Sequence, residues 1–126
     1  RAYLPLLQKF SEKILDYLEE QLCGFQILIA HNVLTMPYNL PLTLALHTLA
    51  KKKPIRVVSW NHDSPYFYEN HHAQLNEPPW NILRSYNRNI DYITISANRS
   101  QEFQKLYQLK KEIKVIEDGI DPFRFF

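Results

Sequence analysis

Residues 55–65 read IRVVSWNHDSP, from Ile55 to Pro65. Ile55, Val57, Val58 and Trp60 make a short apolar run of the kind that forms a buried strand. It ends abruptly in Asn61, His62 and Asp63, and Ser64-Pro65 then turns the chain away. Apolar strands of this type belong to parallel sheets, and open parallel sheets bind ligands beyond the carboxyl ends of their strands. The strand therefore argues for the fold class, and the residues at its tip are the first candidate site.

The segments on either side repeat the pattern. Upstream, Leu7, Phe10, Ile14, Leu18 and Leu22 recur at helical spacing, with Glu12, Asp16, Glu19 and Glu20 on the outer face, which predicts a helix over Tyr3–Leu22. Gly24 stands where a helix C-cap would be. FQILIAHN follows; the continuous run Ile27, Leu28, Ile29 predicts a strand covered on both faces, and it too ends in a histidine, His31, followed by Asn32. Asn39 is placed to cap a helix running to about Leu49, with Leu42, Leu46 and Leu49 buried and Lys51, Lys52 and Lys53 at its negative end.

Downstream, Tyr66 to Pro79 reads as a long aromatic loop, and Trp80 to Asn89 as a short helix. DYITIS predicts a third strand. Asn98 with Gln101 resembles a capping box for a helix from Arg99 to about Leu109, and Lys114 to Asp118 predicts a fourth strand before the turn Gly119-Ile120-Asp121-Pro122. Helix, then strand and helix in alternation, predicts an α/β fold, a Rossmann-like parallel sheet with helices on its faces and right-handed crossovers. No internal repeat or low-complexity segment interrupts it.

Composition narrows the functions. The 126 residues allow one domain with a real core. Fifteen basic residues against 13 acidic give a net charge of +2, which creates no field to recruit nucleic acid, and nothing indicates peripheral membrane association. Two glycines, Gly24 and Gly119, are too few for the dinucleotide fingerprint or a P-loop. One cysteine, Cys23, suits a reducing, cytoplasmic setting, and its place beside Gly24 reads as a buried thiol. The opening RAYLPLLQKF lacks the apolar core and cleavage site of a signal peptide, and no run is long enough to span a bilayer. An Arg start and a Phe125-Phe126 stop read as cuts from a longer chain.

His31 and His62 both fall just beyond apolar strands, so the topology puts them on one edge of the sheet. Either caps its strand through nearby backbone or the two act together. Asp63 beside His62 points elsewhere by strand alternation, so a relay between these neighbours is disfavoured. His31, His62, Asp63, His71 and His72 together make a conceivable metal set. His71 and His72 are adjacent rather than three or four apart on a helix, and no metal is assigned. Asn98-Arg99-Ser100 matches a glycosylation sequon that a cytosolic chain would not use. Trp60, Tyr66, Phe67, Tyr68 and Trp80 surround the histidine loop; they either pack it down or stack on sugar rings and bases.

The ordered set AHN, PYNLPLTLAL, SWNHDSP, DYITIS and VIEDGIDPFRFF resembles the N-terminal domain of GT-B glycosyltransferases, the retaining family-four type, over about residues 1–124. The resemblance implies the second half of an acceptor-side domain, whose first strands and donor-binding C-terminal domain would lie outside this chain. It implies that His62 is catalytic at the domain cleft, that His31 and Asn32 line the acceptor side, and that Asn61 and Asp63 flank the same site. A sugar or glycoconjugate acceptor would be the partner, with a nucleotide sugar as co-substrate and no cofactor. The family's turn reads Asn-Gly-Ile-Asp; here Asp118 stands first and Glu117 replaces the preceding proline. Such a half-domain should not transfer sugar alone, and its truncated sheet should leave an exposed edge. Two other readings remain: a non-transferase relative such as a nucleotide-sugar epimerase, and a module that binds a protein through the loop from Tyr66 to Trp80.

Overall fold

Val57, Val58 and Trp60 lie in the second of four parallel strands in the computed structural model, which describes residues 3–52, 54–119 and 122–125. The elements are α1 (Leu4–Gln21), β1 (Ile27–His31), α2 (Leu40–Lys52), β2 (Arg56–Asn61), β3 (Ile90–Thr94), α3 (Ala97–Leu106), β4 (Lys114–Val115) and α4 (Pro122–Phe125). The strands stand in chain order, β1-β2-β3-β4, and every neighbouring pair is parallel. Between β2 and β3 the chain makes three 3-10 turns, Pro65–Phe67, Ala73–Asn76 and Trp80–Arg84.

Register divides the sheet into two faces. Leu28, Val57 and Ile90 lie side by side, as do Ala30, Ser59 and Tyr92. These rows meet the helices: Ala30, Val57 and Ile90 form one core with Leu34, Leu46, Leu49, Ala50 and Ile55, against which Leu15, Leu18 and Leu22 of α1 pack. Phe103 and Tyr107 from α3 and the residue following it form a second cluster with Ile113, against Tyr92 and Phe67. Each fully buried Leu, Ile, Val or Phe side chain among these contributes about 1.5–3 kcal/mol by leaving water.

The other face carries Ile27, Ile29 and His31 on β1 and Val58 and Trp60 on β2, and α1, α2 and α3 do not cover it. Ile27 and Ile29 are 51% and 57% exposed, which corrects the expectation of a strand covered on both faces. The physical reason lies in the strand order. Crossovers of one hand that all step in the same direction deliver their helices to the same side of the sheet. Continuous apolarity in β1 therefore does not mean double burial. β1 is also an edge of the sheet.

Other differences are local. Ser96, in extended backbone, caps α3 by accepting the N–H of Arg99 at 3.2 Å, so Asn98 falls inside the first turn and reaches Glu102 instead. Trp80–Arg84 is a 3-10 turn rather than an α-helix, and the fourth strand is only two residues long. Cys23 is exposed, because Leu22 beside it takes the core side of the turn into Gly24, whose φ of +88° a side chain would resist. Asn39 caps α2 as its position suggests, accepting from Leu42 N–H at 3.1 Å. Lys51 and Lys52 occupy the last turn of α2, and Lys52 pairs with Glu19 of α1. Lys53, Ile120 and Asp121 lie outside the described residues.

Candidate functional site

His31 is the last residue of β1, level with Trp60 of β2, and His62 follows two residues further on. Strand alternation thus puts all three side chains on the open face, at its carboxyl edge. The two imidazoles meet there: their Nε2 atoms are 2.5 Å apart, with ring centroids 4.5 Å apart and planes crossed at 68°. The Trp60 ring lies 5.2 Å from His31 and 6.4 Å from His62. Its buried indole N–H has no hydrogen-bond partner among the described residues.

Local backbone chemistry fixes this edge. Asn32 adopts φ +54°, a left-handed conformation that asparagine tolerates better than most residues. Its N–H donates to Trp60 O at 2.7 Å. Its side-chain oxygen accepts the N–H groups of His62 and Asp63 at 3.1 and 3.4 Å, so the end of β1 holds the end of β2. Thr35 donates to Asp63 O at 2.7 Å from a fully buried position. Asn32 therefore works here as a clamp for the histidine turn, with its amide oxygen already engaged.

Asp63 turns away from His62, as alternation suggests. Its carboxylate accepts from Ser64 N–H at 2.8 Å and Tyr68 OH at 3.0 Å, and lies 3.2 Å from Arg99. Burial works against the Arg99 charge, but hydrogen bonds to Tyr68 and Glu102 and the charges of Asp63 and Glu102 outweigh it and raise its pKa. The carboxylate that does reach His62 is Asp118, whose Oδ2 lies 3.5 Å from Nδ1. One ligand atom from each of His31, His62 and Asp118 fits within a span of 4.8 Å.

Asn61 faces the other way. It is 1% exposed on the helix-covered side, accepts from Ser59 Oγ at 2.6 Å and donates to Tyr107 OH at 3.4 Å. Its carbonyl accepts from Thr94 at 2.7 Å. Its side chain is committed to the interior and does not reach the open edge. Tyr107 beneath it has its phenol pushed well up by burial, first, and by the neighbouring Tyr92, so it remains protonated.

The remaining histidines do not join the pair. His71 packs on Tyr66 at 5.2 Å, with Nδ1 2.9 Å from Tyr68 O, and His72 is exposed at the start of a 3-10 turn. The aromatic loop is tied down: Tyr66 donates to Leu75 O, and Phe67 packs edge-on against Phe103 at 4.7 Å. His47, unremarked in the sequence, is buried in α2 beside Asn87 and pushed down to about 4 by burial and by Lys51.

Asp118 is the residue that the sequence did not assign to the site. Trp60 was legible both as part of an apolar run and as one of the aromatics around the histidine loop. Asp118 had one usable signal: it follows a fourth parallel strand, and so ends on the same edge as His31 and His62.

Chemically, the edge offers two converging imidazoles, a carboxylate behind one of them, and an aromatic ring beside both. Such a set can donate and accept hydrogen bonds with hydroxyl groups and move a proton between its nitrogens. Comparison with protein-family models, curated proteins and solved structures finds no match to this chain. No helix among the described residues is long and apolar enough to cross a membrane.

Proposed function

We propose that the chain is the acceptor-side part of a GT-B glycosyltransferase, moving a sugar from a nucleotide-sugar donor to a sugar or glycoconjugate acceptor in the cytoplasm. The observation that supports this reading best is the meeting of His31 and His62 at the carboxyl edge of adjacent parallel strands. Ligands of open parallel sheets gather at that edge, and imidazoles suit the hydroxyl groups of sugars. The Trp60 ring adds an apolar surface of the type that packs against sugar rings.

In this reading His62 hydrogen-bonds the transferred sugar or the acceptor and stabilises charge that develops in the transition state. His31 shares the hydroxyl contacts. Asn32 positions His62 through the backbone N–H, and Asp63 braces the turn through Arg99 and Tyr68. Asn61 acts only from below, through Thr94 and Tyr107. The donor would be held across a cleft by a second domain, because transfer requires both substrates to be fixed in one geometry.

The test is a transfer assay on this chain joined to a donor-binding domain. His62→Ala should lower kcat at least about a hundredfold, the scale of a lost transition-state donor, with the far-UV spectrum unchanged. An unchanged kcat contradicts the reading.

A further inference from the structure

We propose that His31 and His62 bind one divalent transition-metal ion, both ligating through Nε2, with Asp118 supplying the carboxylate that holds His62 in the ligating tautomer. The set is not the one the sequence suggested. Asp63 is engaged by Arg99 and Tyr68, His71 packs on Tyr66, and His72 stands apart. Asp118 takes the place of all three.

The geometry has three parts. The two Nε2 atoms face one another at 2.5 Å from crossed rings, so one carries a proton that the other accepts, and that proton moves to Nδ1 or to solvent when an ion takes its place. Two Zn–N bonds of 2.0–2.1 Å in a tetrahedral arrangement separate their nitrogens by about 3.3 Å, so the pair must open by roughly 0.8 Å. His31 is exposed at a strand end and has room to make that movement.

The third part is Asp118, 3.5 Å from Nδ1 of His62. That is an ion-pair distance rather than a hydrogen bond; drawn in to accept Nδ1–H, the carboxylate would leave the Nε2 lone pair of His62 free, the arrangement that orients metal-binding histidines. Solvent fills the open positions, since His31 and Asp118 are exposed. Two imidazoles select borderline ions such as Zn²⁺, Ni²⁺ and Cu²⁺ over Mg²⁺ and Ca²⁺, which prefer oxygen ligands.

The inference does not rest on the glycosyl-transfer reading, and its readout needs no sugar. An ion at this pair would occupy the nitrogens that the reading gives to hydroxyl groups, so the two uses exclude one another at any moment.

Calorimetric titration of the chain with Zn²⁺ at neutral pH should show saturable binding of one ion, and Mg²⁺ should show none. Ni²⁺ should quench Trp60, whose ring is 5.2 Å from His31. His31→Ala and His62→Ala should each weaken Zn²⁺ binding more than tenfold, and Asp118→Asn about tenfold, the usual cost of losing an orienting partner. His72→Ala should change nothing. Circular dichroism confirms that each variant remains folded; if His62→Ala does not, the exposed His31→Ala decides. Absence of saturable binding in the wild-type chain, or full affinity in His31→Ala, overturns the proposal. Equal loss in His72→Ala also overturns it.

Discussion

The side-chain oxygen of Asn32 accepts the backbone N–H of His62 at 3.1 Å, across 30 residues of sequence. One amide thereby joins the ends of two strands and sets the angle at which both histidines leave the sheet. Because Asn32 also has φ +54°, it serves by conformation as well as by hydrogen bonding.

Those two contributions can be separated. Asn32→Ala should destabilise the chain by about 2 kcal/mol, from two lost hydrogen bonds and a left-handed backbone that alanine resists. Asn32→Gly should recover the conformational part only. Urea denaturation measures both, and equal stability for the two variants would show that backbone conformation plays no part.

His47 gives the fold a pH dependence of known sign. Its pKa falls from 6.5 to about 4 on folding, because burial and Lys51 disfavour the charged ring. Between those values the unfolded chain binds a proton that the folded chain refuses. Stability is therefore full above about pH 6.5, declines as the pH falls, and levels off below about 4, with a total loss of about 3 kcal/mol. Denaturation across this range should show the slope, and His47→Gln should remove it.

The two faces of the sheet should respond oppositely to mutation. Phe103, fully buried between α3 and the sheet, should cost about 3–5 kcal/mol when changed to Ala. Ile29, 57% exposed on the open face, should change stability by no more than about 0.5 kcal/mol when replaced by Thr. A large loss at Ile29 would mean that something covers that face in solution.

Asp63 and Arg99 are both partly exposed, with side chains about one-third and one-quarter accessible, so their pairing is screened. Asp63→Asn should cost less than about 1 kcal/mol, and the difference should shrink at high salt. A salt-independent loss would assign the effect to the Tyr68 and Ser64 hydrogen bonds instead.

Much of this fold was legible because its signals were local. The helical spacing from Leu7 to Leu22, the run from Ile55 to Trp60 and the asparagine before α2 each specify an element within a few residues. What the sequence left hidden depends on neighbours. Ile27, Leu28 and Ile29 are equally apolar, yet two are exposed, because helices line only one face of the sheet. Asn98 had the spacing of a cap, but Ser96 has the extended backbone that a cap needs. The site was half visible: strand ends gave His31 and His62 a common edge, but only the packed chain shows that Asn61 points inward and that Asp118, not Asp63, stands behind His62.

Proton NMR tests the convergence of His31 and His62 directly, without a ligand. Ring centroids 4.5 Å apart put ring protons of the two imidazoles within range of a nuclear Overhauser cross-peak. A cross-peak between them is expected, and it should disappear in His31→Ala. Assigned resonances for both rings with no cross-peak between them would contradict the convergence.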